Sequence, residues 1–275
     1  MKLRVPIALT ADNSENYDVS IRLWSGGLSF SGCRISDRDD FFSGDVVFGN
    51  DISVVQSIKD IYFDNQCFSY SYNKLYVTCV SDRYTLVPDV IYSEKDKELL
   101  FSYCHKDDKG LKIIVQHIEK LNSWLLFGID LKAYEFLVRS LVNPSFIHAL
   151  SPLLILWQEK SFQDYPKQMY VVINDGFFDI LCFERGDILF VNSFRFETDN
   201  DILYFILYVC KQLGFNQLDD VIHFVGDKLK CNSVMSVVKD YIGRLDCFDA
   251  KSLNQKMPLD VNPGIDTVAL LKCGL

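Results

Sequence analysis

Three glycine-containing turns close apolar runs, and they are where this chain could do chemistry. They are Leu23-Trp24-Ser25-Gly26-Gly27, Ile173-Asn174-Asp175-Gly176 and Val225-Gly226-Asp227. Backbone amides in such turns cradle phosphates, and a neighbouring carboxylate can hold a divalent cation. Plain turn geometry is the simpler account. Glycine at Gly26, Gly27 and Gly176 supplies positive φ without strain, and Asp175-Gly176 is a hairpin dipeptide. A second acidic group, Asp37, Asp39, Asp40 and Asp45, lacks the glycine of an EF-hand, its sixth position being Phe42. It reads as a solvated loop, so no metal site is expected. The histidines, His105, His117, His148 and His223, are far apart in sequence, and His223 alternates within a strand, which favours a structural role. None of the motifs G-x-x-x-x-G-K-[ST], H-E-x-x-H or G-x-S-x-G occurs. No catalytic residue is assigned.

The elements that must hold these turns are legible as short apolar or alternating runs, rich in the 21 Phe and 14 Tyr. Residues 18–25 and 28–35 predict two strands joined at Gly26-Gly27. An acidic loop and a short strand at 46–48 follow. A helix over 52–61, capped by Asn50 or Asp51, leads to a strand at 74–80. The same series recurs as strands at 169–174, 178–184 and 188–196, a helix at 202–213 ending at Gly214, and a strand at 221–225. That helix is apolar around most of its circumference, which predicts nearly complete burial. Two copies of strand-turn-strand-strand-helix-strand at similar spacing indicate an internal duplication. Strands at 124–129 and 144–149, helices at 131–142, 152–157 and 232–242, and a loop-rich tail after Leu245 complete the expectation. Residues 163–167 (QDYPK) are polar, carry a proline and mark a domain boundary. Two mixed sheets follow, each antiparallel first and then parallel through crossover helices.

The 275 residues suffice for one large domain or two ordinary ones. A hydrophobic content of 49% with 24% charged residues is globular. The net charge of -9 argues against binding nucleic acid. No run approaches the roughly 20 apolar residues of a membrane span, and the N-terminus does not read as a signal peptide. A cytoplasmic protein is expected. The nine cysteines are odd in number and include no C-x-x-C pair, so they are read as reduced thiols.

The segments DVSIRLWSGGLSF, LYVTCVSDRYTLVPDVIY, NPSFIHALSPLLILW and DILYFILYVCKQLGF resemble a family of uncharacterised bacterial proteins, domain of unknown function 3822. The run from Asp82 to Pro88 is the most specific part, and the resemblance spans residues 18–242. Members of that family look like divergent actin-like proteins, related to the ATPase fold of actin, heat-shock chaperones, sugar kinases and pilus-assembly actin homologues. The resemblance therefore implies an α/β (mixed) fold: two ribonuclease H-like lobes in an actin-like duplicated arrangement, at residues 1–164 and 165–275. It also implies an inter-lobe cleft lined by Ser25, Gly26, Gly27, Asn174, Asp175, Gly176, Gly226 and Asp227.

An active member of that superfamily carries Asp-x-Gly at both hairpins, because the acids position Mg²⁺ and water around transferring phosphate. Here Trp24 or Ser25 stands where the first Asp should be, and Asn174 where the second should be. The later adenosine-approaching Gly-Gly keeps only Gly226. A ribonuclease H-like nuclease would need a carboxylate mid-strand, whereas the strand at 18–25 has its only acid at its start. The resulting expectation is a non-catalytic binding or scaffold protein with a degenerate nucleotide cleft, a protein partner and no cofactor. The alternative is a weak ATP-binding actin-like ATPase.

Overall fold

The computed structural model describes residues 3–49, 51–106, 109–162, 167–258 and 261–273. The chain divides into two compact units, Met1–Pro152 with Asn254–Leu275, and Leu153–Leu253. The boundary anticipated at 163–167 falls largely on residues outside those described.

In the first unit, β1 (Tyr17–Trp24), β2 (Gly27–Arg34) and β3 (Asp37–Val47) form an antiparallel meander. Helix α1 (Val54–Asp64) crosses over to β4 (Lys74–Cys79), which runs parallel to β1. An insertion follows: β5 (Tyr84–Pro88), α2 (Lys97–Cys104), β6 (Leu111–Ile118) and β7 (Ser123–Asp130). Its strands make a separate three-stranded sheet, ordered β5-β7-β6. Helix α3 (Leu131–Ser140) then leads to β8 (Pro144–His148), parallel to β4, and α4 (Leu150–Ser161) leaves it. The second unit holds β9 (Gln168–Ile173), β10 (Phe177–Glu184), β11 (Asp187–Arg195), α5 (Asp199–Leu213), β12 (Val221–Val225), α6 (Lys228–Val238), β13 (Arg244–Phe248) and the short α7 (Ala250–Leu253). Helix α8 (Ile265–Cys273) returns to the first unit and packs on β1, β2 and β3.

The two main sheets are ordered β3-β2-β1-β4-β8 and β11-β10-β9-β12-β13. Element for element these are the same arrangement, so the duplicated pattern is present. The hairpins align residue for residue: Leu23 faces Leu28 across the first, and Ile173 faces Phe178 across the second.

Strand alternation decides which face of each sheet is apolar. On β1, Val19, Ile21 and Leu23 are buried in the hydrophobic core, while Asp18, Ser20 and Arg22 point the other way. That polar face is covered through specific bonds. Ser20 and Thr78 hydroxyls meet at 2.8 Å, Arg22 Nε donates to both oxygens of Asp266 at 2.8 and 3.0 Å, and Arg38 bridges Asp18 (2.5 Å) and the Leu271 carbonyl (2.9 Å). In the second unit, Met169, Val171, Ile173, Phe178, Ile180 and Cys182 meet α5 and α6 in one core. On the opposite face Tyr170 stacks between Trp157 (4.4 Å) and His223 (4.7 Å).

Several expectations are corrected. The acidic loop is part of β3, an 11-residue strand. Pairing with β2 and the lysines of the chain's C-terminal part, Lys256 and Lys272 on Asp39, accommodate its charge. Helix α5 is not buried all round. Ile202, Ile206, Val209 and Cys210 face the core, whereas Tyr204 and Tyr208 are exposed, because a helix lying on a sheet hides only one side. Ser53 caps α1, its hydroxyl accepting from Gln56 N at 3.3 Å; of the two anticipated caps, Asp51 lies in the preceding turn and Asn50 lies outside the described residues. Residues 244–248, anticipated mostly as tail, are the edge strand β13.

All eight cysteines whose side chains are described are free. Burial pushes the thiols of Cys67, Cys79 and Cys210 up, to about 11, 12 and 12, so they stay protonated at neutral pH. Cys273 lies outside the described side chains.

Candidate functional site

In the first unit, Ser25 and Gly26 form the two-residue loop between β1 and β2, with Trp24 facing Gly27 across it. Neither Gly26 nor Gly27 adopts positive φ, contrary to expectation. Glycine is required at 27 for a different reason. A β-carbon there would lie 2.5 Å from Trp24 Cζ2 and 2.5 Å from the Val46 carbonyl. The Trp24 indole is therefore folded over the hairpin, and the Arg22 guanidinium lies 5.8 Å from its ring centre. Asp45, facing Ser29 across β2 and β3, has its carboxyl pushed up by burial, opposed by Arg22.

The second unit brings together Asn174, Asp175, Gly176, Gly226 and Asp227. Strands β9 and β12 are parallel neighbours, so their C-terminal ends emerge side by side. Gly176 has φ +78 and open space around it, and Asn174 N donates to Phe177 O at 3.0 Å to close the turn. Gly226, at φ +135, approaches the Ile173 carbonyl; a β-carbon there would lie 3.2 Å from it. Asp227 caps α6, accepting from Leu229 N and Lys230 N at 3.0 and 3.1 Å. Removing that cap in Asp227→Ala is expected to cost about 1 kcal/mol, read from urea unfolding.

Two further residues join this turn, of which Lys230 escaped the sequence. Lys230, one turn into α6, places its ammonium 2.5 Å from Asp175. Buried Asp179 accepts from the Asn174 amide at 3.0 Å and from the Ser193 hydroxyl. A lysine three residues after an N-cap aspartate was a readable signal, but which carboxylate it meets depends on the β9–β12 pairing. The Asn174 position thus holds a hydrogen-bonded neutral amide, and Asp175 an exposed ion pair. Ser25, Gly26 and Gly27 belong to the other unit.

Among the described residues, no group of three or more His, Cys, Asp or Glu side chains could hold a metal ion. No helix described is long and apolar enough to cross a membrane.

No curated protein matches this sequence. A solved structure from Bacteroides thetaiotaomicron VPI-5482, described as a protein with actin-like ATPase fold and unknown function, is similar. It is 30% identical, with a TM-score of 0.85, over 96% of this chain and 99% of that one. A PilM-PilN type IV pilus biogenesis complex shares the fold at 11% identity and TM-score 0.50, covering 90% of each chain. The family model "Protein of unknown function (DUF3822)" matches residues 7–245. With its two sheets of matching strand order and their hairpin turns, this chain belongs to the DUF3822 family.

Proposed function

We propose that this protein is a non-catalytic binding or scaffold protein that engages another polypeptide through an actin-like framework whose nucleotide site has degenerated. The observation that carries this reading is the Trp24 indole, folded over Gly26 and Gly27 where a phosphate-binding hairpin needs open backbone amides. Asn174 adds to it, because an amide brings no charge to Mg²⁺ and here donates to Asp179. Phosphoryl transfer rests on placed charge rather than on a covalent group, and losing one such contact costs about 3 kcal/mol of transition-state stabilisation. A fold relative solved as a PilM-PilN complex supports a protein partner as the ligand class.

A phosphate-release assay with ATP and Mg²⁺ tests the reading. The expected rate equals that of buffer, for the wild type and for Asp175→Ala alike. Turnover that disappears in Asp175→Ala would overturn it in favour of a weak ATPase. That second reading draws on the open Gly176 turn beside Gly226.

A further inference from the structure

The outer strands of the two main sheets hold equivalent places and are finished differently. In the first unit, β3 carries Asp37, Arg38, Asp39, Asp40 and Asp45. The Asn254 amide donates to the Asp39 carbonyl at 3.1 Å, and the Arg4 backbone lies against Gly44. Charge and neighbouring chain both block further pairing there. Strand β11 has neither device along its length. Between Asp187 and Arg195 it reads Ile-Leu-Phe-Val-Asn-Ser-Phe, without charge or proline. Among the described residues, no backbone hydrogen bond outside the ladder with β10 involves Ile188 to Phe194.

Its side chains are also incompletely covered. Phe190, Asn192 and Phe194 face Cys182, Ile180 and Phe178, so they share the helix-covered face of the sheet. Both phenylalanines remain half-buried, with ring centres 6.2 Å apart, and Asn192 is exposed. Phe194 stacks on Phe205 of α5 at 4.3 Å, and exposed Tyr204 packs on Phe205 in turn. An aromatic shelf therefore runs from the open edge onto α5.

We infer that this edge pairs with β11 of a second copy of the chain, antiparallel about a two-fold axis at Asn192. Opposite residues in an antiparallel ladder share a face. Centring on Asn192 sets Phe190 of each copy opposite Phe194 of the other, and Val191 opposite Ser193. Two aromatic cross-strand pairs form on the half-covered face, the favourable kind of pair. The register shift at Cys182/Phe183, which interrupts regular pairing along β11 between Ile188 and Phe190, lies outside this five-residue ladder. The interface is isologous, so it closes at a dimer and joins two five-stranded sheets into one of ten.

Sedimentation equilibrium on the full chain tests this. The wild type is expected to dimerise reversibly. Asn192→Lys and Asn192→Asp each set like charges face to face and should weaken self-association at least tenfold, with thermal unfolding unchanged at concentrations where wild type and variants are all monomeric. Mixing the two variants in equal amounts should restore a dimer. A wild type that stays monomeric across the concentration range would overturn the inference. So would an Asn192→Lys protein that dimerises as tightly as wild type.

Discussion

Asp266→Ala is expected to destabilise the first unit by about 3 kcal/mol, since removing one partner of a buried pair strands the other's charge. Asp266 is 3% exposed and Arg22 19%, so water reaches the pair poorly. The pair also holds α8 on the polar face of β1. Asp45 lies close enough to Arg22 to feel its charge, which offsets part of the loss and keeps the figure at the lower end of the range for such pairs. Urea unfolding of wild type and variant gives the difference. Limited proteolysis adds a local readout, with faster cleavage within residues 254–273 expected in the variant. Asp266→Asn should fall between the two, as it keeps the shape and loses the charge. A loss below about 0.5 kcal/mol would mean that α8 is held by Arg38, Lys272 and apolar packing instead.

Acidification is expected to weaken the fold through His148. This imidazole is wholly buried between Tyr84 (4.8 Å) and Phe127 (5.4 Å). Its Nδ1 accepts from Leu150 N at 3.2 Å and its Nε2 lies 3.0 Å from the Ser81 carbonyl. One nitrogen accepts and the other donates, which fixes the neutral ring. Burial lowers its pKa from 6.5 to about 4, against the smaller opposing effect of the Ser81 carbonyl. Between those values the unfolded chain binds a proton that the folded chain refuses. Stability is therefore full above pH 6.5 and falls as the pH drops toward 4. At roughly 1.4 kcal/mol per pH unit, the loss is about 2 kcal/mol at pH 5 and about 3 below pH 4. Unfolding free energies of wild type and His148→Gln at pH 7.5 and pH 5 isolate this contribution. The wild type should lose about 2 kcal/mol more than the variant over that interval. Equal losses would show that His148 takes up its proton in the folded state as readily as in the unfolded one.

Local chemistry decided much of this protein. Alternating apolar runs, Asp175-Gly176 and the stop at Gly214 specify strands, a hairpin and a helix end within a few residues of themselves, so the duplicated series was readable. Glycine at 176 is explained by its own backbone, φ +78, and needs no distant partner. That none of Trp24, Ser25 and Asn174 is an acid was equally plain, because residue identity is a one-dimensional fact.

Contacts between segments far apart in sequence were not readable. Gly27 looked like a positive-φ residue, but it is glycine because Val46 and the Trp24 ring come too close for a β-carbon. The acids of β3 looked solvated, yet Asp39 meets Lys256 and Lys272 from the far end of the chain. Helix α5 looked buried all round, since its composition says how apolar it is and not which side the sheet covers. Lys230 reaches Asp175 only because β9 and β12 are neighbours, a pairing that spans about fifty residues of sequence. Periodicity and turn chemistry act within a few residues and are written in the chain. Burial, ion pairing and close approach depend on which strands adjoin, and only the tertiary structure sets that.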